Sequence, residues 1–589
     1  MRRGPSLAAA IAVATATAST IALFLVSRGL WSDPLIDSGR EWIVPDALSR
    51  GELLYRDVAY WFGPLTPYLH AAFFAVFGSS FTTLAVAGCV GAAAALVALS
   101  LAVRRAAGAA GAPSAEFVAR DQALVWTALA IPALVFMPNA GGAILGMGFR
   151  IWHAATLAMF AIVLASREEH AGGWRAAGAG ALAALAGLCR TEWGLAALSA
   201  VALTIVLSRH DPGRRLVSAA IAFAAVFGGV WTFFIARVGW AGLADQPVFL
   251  WNIPEETRGH VGLAGLRSWR TGVWNLLYSA AVWLGAAVAV ALVALGRGES
   301  LPQRDALRRR GFGLGAALAV AGLCAAMGAV PGPVLFGAAP LVCLAGLFVG
   351  WRDGNAALAG LGWMGILASH RRVFFLDDAP YVAPPLLFAF ACAGALLARA
   401  AAREASPGSR ERLATAFAAA VGALVVFAFA GRIAGYAAES AGRAAIRGTG
   451  GMLSARPELA RQIEDTAAAI RSGTPEGSGL AVFPEGEALN FLSGRPNPAR
   501  QKLYLPGYLN DANEGAVVAD LERARPAAIV RWLRPTGEYA RGLFGSDYGR
   551  AVAAWIDANY SAGGPKSRAH PELTLFLRRP PSRAGGALH

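Results

Sequence analysis

Within this 589-residue chain, the residues best placed to do chemistry fall between Ser32 and Gly78. There Asp33, Asp37, Glu41, Asp46, Glu52 and Asp57 alternate with Arg40, Arg50 and Arg56 and with Tyr55, between two apolar segments. A carboxylate held beside hydrocarbon is costly unless a cation, a metal or a polar group of a substrate meets it. Asp37, a few residues past the first apolar segment, is the first catalytic candidate and Asp57 the second. Arg40, Tyr55 and Arg56 accompany them as candidate substrate contacts. Such a set can take a proton on the carboxylate and grip phosphate oxygens with guanidinium forks. The competing reading is a solvated loop whose charges neutralise one another.

Two further groups share that character. His370, Arg371 and Arg372 precede Asp377, Asp378 and Tyr381 in a polar stretch between apolar segments. The arginine pair suits a phosphate, or else an internal ion pair with the two aspartates. Tyr381 is a substrate contact or an interfacial aromatic anchor. Arg190 and Glu192 stand in the turn of LCRTEWG, where structural pairing competes with donor binding. Arg150, His153, Arg258 and His260 are weaker candidates. The five cysteines, Cys89, Cys189, Cys324, Cys343 and Cys392, all lie in apolar segments without CxxC spacing and read as packing residues.

The elements that must position these residues are membrane helices. Hydrophobic residues make up 56% of the chain and charged ones only 15%, which excludes an ordinary soluble protein. The net charge of +15 comes mostly from arginines scattered between apolar runs, so nucleic-acid binding is not expected. Lysine occurs only at 502 and 566, and the absence of GxxxxGK[ST] excludes a P-loop ATPase. A span needs about 20 apolar residues. That rule gives about thirteen windows, near 7–27, 81–103, 122–140, 151–166, 174–189, 193–208, 216–236, 272–296, 311–330, 334–351, 354–369, 384–400 and 413–431. The first could instead be a cleaved signal peptide.

Alternating sides from a cytoplasmic N-terminus puts Arg104, Arg105, Arg120, Arg214, Arg215 and the triplet Arg308 to Arg310 inside, as positive-inside charge requires. Residues 28–80, 237–271, 370–383 and everything past 432 then lie outside. The expected architecture is a predominantly α-helical polytopic membrane domain over 1–431, its first outer loop at 28–80, and a soluble extracytoplasmic α/β domain over 432–589. LAVFPEG, AAIVRWL and ELTLFLRR read as strands of that domain; ELARQIEDTAAAIRSG, ADLERARP and YGRAVAAWIDANY read as helices. GPLTPYLHAAFFAVFG reads as a helix lying along the interface.

The pattern Asp37, Ser38, Gly39, Arg40, then Gly51 through Asp57, then Gly63, Pro64, Leu65 and a helix closing at Phe77 and Gly78, resembles the first outer loop of GT-C glycosyltransferases. These polytopic enzymes take a sugar from a polyprenyl-phosphate carrier, as do the aminoarabinose transferase of lipid A and the protein O-mannosyltransferases. The resemblance extends to the overall layout and implies that Asp37 is the general base or positions the acceptor. It also implies a role for the Arg190-x-Glu192 position. Ser38 stands where some relatives carry a second acid, which weighs against a metal-binding version of the site; no cofactor is required, and a divalent metal stays open. FPEGEALNFLSGRPNPAR resembles a segment of some periplasmic domains in these enzymes, with Arg495 and Asn497 read as turn residues.

The resemblance implies an inverting transferase in a bacterial-type inner membrane, passing a sugar from a polyprenyl-phosphate donor to a lipid, glycan or protein hydroxyl. Sugar phosphates already carry a good leaving group, so one carboxylate and some cations suffice. The alternatives are a transporter or flippase of lipid-linked glycans, which calls for internal repeats not found here, or a glycan polymerase or ligase.

Overall fold

The computed structural model describes residues 6–108, 113–137, 145, 149–167, 173–208, 210–244, 339–369, 383–403, 407–539, 541–563 and 573–579. Among them the chain is mostly helical, with seven helices long and apolar enough to cross a membrane, together with shorter apolar ones. The windows at 272–296 and 311–330 lie outside the described residues, and helices occupy every other window.

By compactness the chain divides into two units. One comprises the described residues of Met1–Ser27, Gly88–Trp231 and Gly265–Ala437. Its helices include α5 (Pro113–Ala130), continued by a π-turn over Ile131–Val135, α6 (Phe149–Ala165), α7 (Trp174–Cys189), α8 (Thr191–Ser208) and α9 (Pro212–Val238). The end of α9 past Trp231 and a short turn of helix, α10 (Trp240–Ala244), are counted with the second unit; α11 (Ala339–Arg352), α12 (Ala356–Ala368), α13 (Ala383–Ala402) and α14 (Pro407–Ser440), up to Ala437, complete the first. Small residues let these helices approach backbone to backbone, which substitutes for the hydrophobic drive that lipid removes. A Cβ on Gly362 of α12 would stand 2.3 Å from the Leu347 nitrogen of α11, and one on Gly180 of α7 would stand 2.0 Å from the Ala219 carbonyl oxygen of α9.

The second unit comprises Arg28–Ala87, Thr232–Ala264 and Ala438–His589, within the described residues. Helix α14 continues through 432, where the composition changes, to Ser440, and the α/β part follows it; packing draws the first loop into the same body. Helices α2 (Ser38–Ser49) and α3 (Leu65–Phe77) pack together, and α2 also packs on a short helix, α16 (Ala488–Ser493). Every residue of α2 from Ser38 to Leu48 is buried, so this stretch is not a solvated loop.

The α/β part begins with a small hairpin, β1 (Ala444–Ala445) with β2 (Ser454–Ala455), followed by α15 (Pro457–Gly473). A four-stranded mixed sheet of order β3-β4-β6-β5 follows. It is built from β3 (Leu480–Phe483), β4 (Ala528–Trp532), β5 (Tyr560–Ala562) and β6 (Leu573–Arg578). β3 runs parallel to β4, and β6 is antiparallel to both β4 and β5. Helices α17 (Glu514–Ala524) and α18 (Arg550–Asn559) bring Val517, Leu521, Val552 and Ile556 onto Phe483, Ile529 and Phe576. The three strands and three helices expected from apolar alternation are all present; β5 and the β1-β2 hairpin are additional.

Candidate functional site

The centre of the second unit is Asp37, in the position that caps α2. A capping aspartate ordinarily has extended backbone and accepts an N–H of the first turn through its side chain. Asp37 does neither: its φ is 62°, in the left-handed region, and its side chain makes no cap bond. Asp33 accepts the N–H groups of Leu35 and Ile36 instead, at 2.8 and 3.0 Å, and so turns the chain into the helix. The Asp37 carboxylate pairs with Arg40, Oδ1 to Nη2 2.7 Å, and is 28% exposed while Arg40 is 10% exposed. Asp37 thus stands where the part-exposed stretch before α2 gives way to the buried helix.

Two acids absent from the sequence-derived candidates complete the surroundings. Glu485 and Glu487 follow β3 directly, in Pro484–Ala488, and both are fully or almost fully buried. The Asp37 backbone N–H donates to Glu485 Oε2 at 3.3 Å, and Glu485 Oε1 pairs with Arg534 Nε at 2.7 Å. The indole N–H of Trp532 donates to the Glu485 carbonyl. Burial pushes the Glu485 carboxyl well up, opposed by Arg534 and reinforced by Asp37. Burial likewise raises Glu487 to about 7. Gly39 is what lets α2 lie against this segment, because a Cβ there would come within 2.5 Å of the Ala488 nitrogen. The sequence signal was available in outline: two acids at the carboxyl end of a buried strand, where ligands gather in α/β folds.

The second catalytic candidate has a different setting. Arg56 grips Asp57 with two bonds of 2.9 and 2.7 Å, and Asp57 Oδ2 accepts the Leu53 N–H at 2.8 Å. The Arg56 guanidinium, through that hydrogen bond, holds the Asp57 carboxyl below its usual range. Tyr55, also at positive φ (69°), is completely buried, and its hydroxyl donates to the Phe62 carbonyl at 2.7 Å. Arg500 fastens this turn by donating to the carbonyls of Arg56 and Tyr55, at 3.0 and 2.9 Å. Lys502, 2% exposed, pairs with Glu52 at 3.1 Å and donates to the Asn497 carbonyl at 2.9 Å. Burial lowers its pKa, and Glu52 pulls the other way. Arg56, Asp57 and Tyr55 are thus engaged in holding the loop.

Arg190 and Glu192 pair with each other, Nη2 to Oε1 2.5 Å, in the turn joining α7 to α8, and belong to the other unit. Arg150 and His153 lie in α6 of that unit. His370, Arg371, Arg372, Tyr381, Arg258 and His260 fall outside the described residues. Arg495 is buried with its guanidinium on the Thr474 hydroxyl and carbonyl, a structural setting that agrees with its reading as a turn residue. Among the described residues no group of three or more His, Cys, Asp or Glu is arranged to hold a metal ion. The acids nearest Asp37 do not fit one either, since Asp37 and Glu485 each face a guanidinium.

No protein-family model matches the sequence, and no curated protein is similar to it in sequence. The structure is similar to the crystal structure of ArnT from Cupriavidus metallidurans in the apo state, with a TM-score of 0.52 at 12% identity, over 96% of this chain and 97% of that one. Lower likeness is found to the same protein bound to undecaprenyl phosphate, with a TM-score of 0.40 at 13% identity over 96% and 97% of the two chains. The archaeal oligosaccharyltransferase AglB from Archaeoglobus fulgidus, in complex with an inhibitory peptide and a dolichol-phosphate, gives 0.46 at 11% identity over 96% of this chain and 74% of that one. At this identity the likeness shows the fold alone, which is shared with ArnT. The seven long apolar helices, with the shorter ones, are those of a multi-pass integral membrane protein.

Proposed function

We propose that this chain is an inverting glycosyltransferase that moves a sugar from a polyprenyl-phosphate donor to a hydroxyl-bearing acceptor at the outer face of a bacterial-type inner membrane. In this reading the helical domain crosses the membrane about thirteen times, and the α/β domain lies outside the cell membrane with the first loop. The observation that carries the proposal is Asp37, turned out of its helix-capping role and left partly exposed at the entrance to the buried helix α2, with Arg40 on its carboxylate.

Asp37 Oδ1 stays on Arg40, and Oδ2 takes the proton of the acceptor hydroxyl. The acceptor oxygen attacks the anomeric carbon as the bond from that carbon to the phosphate oxygen breaks, with inversion. The departing phosphate keeps the bonding pair and needs cations, not an acid, to stabilise it. Arg371 and Arg372 are assigned to that clamp because guanidinium forks match phosphate oxygens, with His370 and Tyr381 as further proposed substrate contacts. Donor contacts by Arg190 or Glu192 require their mutual pair to open on binding. Asp57, Tyr55 and Arg56 are assigned to holding the loop. The acceptor is a lipid, glycan or protein bearing a hydroxyl.

The test is sugar transfer by membranes containing wild type or Asp37→Asn, offered a set of polyprenyl-phosphate sugars. Transfer by the wild type and its loss in the variant supports the reading; equal transfer by both removes Asp37 as the base.

A further inference from the structure

The left-handed backbone of Asp37 has a cost that something must offset. A non-glycine residue in that region is disfavoured, though aspartate tolerates it better than most, and such strain persists only where the surroundings over-determine it. The group that meets the Asp37 N–H is Glu485, at 3.3 Å. Glu485 is itself fixed on three sides: its backbone continues from β3, its carbonyl accepts the Trp532 indole N–H, and its Oε1 faces Arg534 at 2.7 Å. A buried ion pair of this kind is weak support for stability, since apolar residues of like volume usually do as well. Its geometry, by contrast, is specific.

We propose that Glu485, held by Arg534, is a positioning residue for Asp37, locking the aspartate's backbone so that its carboxylate faces Arg40 and the acceptor instead of capping α2. The catalytic part of this inference rests on the transferase reading; the positioning part does not. Arg40, Glu487 and Asp37 itself are the other charged groups around Glu485, and none of them replaces its oxygen on the Asp37 N–H.

Glu485→Leu removes the acceptor oxygen, whereas Glu485→Gln keeps one while losing the charge. Hydrogen exchange read by mass spectrometry on the full-length protein, in peptides spanning residues 33–44, reports the contact without any substrate. Glu485→Leu is expected to speed exchange there by about tenfold or more, with Glu485→Gln near wild type and peptides of α15 unchanged in both. In the transfer assay kcat is expected to fall about 10- to 100-fold in Glu485→Leu with KM for the donor unchanged, and to stay within about threefold in Glu485→Gln. Should Glu485→Leu fail to accumulate, the double variant Glu485→Leu with Arg534→Met carries the test. It replaces the buried ion pair by apolar side chains and removes the acceptor oxygen, so faster exchange at residues 33–44 with a lowered kcat supports the inference and wild-type protection overturns it. Unchanged exchange in Glu485→Leu also overturns it. Wild type that transfers no sugar from any donor sinks the transferase reading, and the exchange result still decides the positioning.

Discussion

Asp37 and Asp57 lie in the same first loop, each with an arginine on its carboxylate and a residue of positive φ at or near it. Around Asp57 the chain closes on itself: Asp57 N–H donates to Leu53 at 2.8 Å and Tyr55 N–H to Val58 at 2.8 Å. The same turn recurs in the α/β part of this unit. There Asp547 N–H donates to Leu543 at 3.1 Å, Gly545 N–H to Tyr548 at 2.7 Å, and Asp547 Oδ2 accepts the Gly542 N–H at 2.7 Å. Gly545 takes the positive φ that Tyr55 takes in the first loop. A device used twice, once far along the chain from the proposed site, is a way of folding a tight turn. Among the described residues the surroundings of Asp37 have no such duplicate; both turns are tied to the α/β part, but at Asp37 it is the aspartate's own N–H that is held, by Glu485, whereas Arg500 takes the carbonyls of Tyr55 and Arg56. The difference separates an aspartate that builds a loop from one that a loop is built around.

Substitutions sharpen that contrast, beginning with the largest expected effect. Asn tolerates the left-handed backbone, so Asp37→Asn removes the base while sparing the geometry, and transfer should fall about 100- to 10,000-fold with thermal unfolding unchanged. Gly39→Ala forces a methyl against the Ala488 backbone and is expected to cost about 3 kcal/mol, read as a lower unfolding temperature. Glu487→Gln acts through pH. The folded protein keeps a proton on Glu487 up to about 7, while the unfolded chain releases it near 4.5, so wild-type stability falls as pH rises between those values. The variant has no proton to lose and should flatten that decline by at most about 3 kcal/mol, seen in unfolding temperatures from pH 5 to 8. An unchanged slope would place the titration elsewhere. Asp57→Asn keeps an oxygen for the Leu53 N–H and gives up only a half-exposed ion pair, so it should leave the unfolding temperature nearly unchanged with transfer within about threefold. A hundredfold loss of transfer there would erase the distinction between the two aspartates.

Much of the fold was legible because its signals are local. Apolar runs of about 20 residues announce spans, and LAVF, AIVRW and LTLFLR announce buried strands. Asp37 drew attention in the sequence for a related reason, as a charge expected close to hydrocarbon. Glu485 and Glu487 were legible only in outline, as two acids at the end of a buried strand; that FPEGE is buried against α2 depends on residues about 450 positions away and not on anything nearby. The burial of α2 was equally hidden: SGREWIVPDALS carries three charged residues, and only the partners at Glu485, Phe491 and Ala488 explain why it leaves solvent. Lys502 gave a faint clue, being one of two lysines in an arginine-rich chain, and it proves to be a buried partner of Glu52.

Gly39 also has a bearing on biosynthesis. Its close neighbour Ala488 is made some 450 residues later, so at roughly 5 to 20 residues per second the ribosome needs roughly 20 to 90 s to supply it. Throughout that interval Asp37, Glu41 and the rest of α2 have been synthesised without the surface that buries them. A nascent chain stalled or cut short before β3 therefore displays an unpaired, half-apolar helix, the kind of signal by which quality-control proteases recognise an unfinished membrane protein.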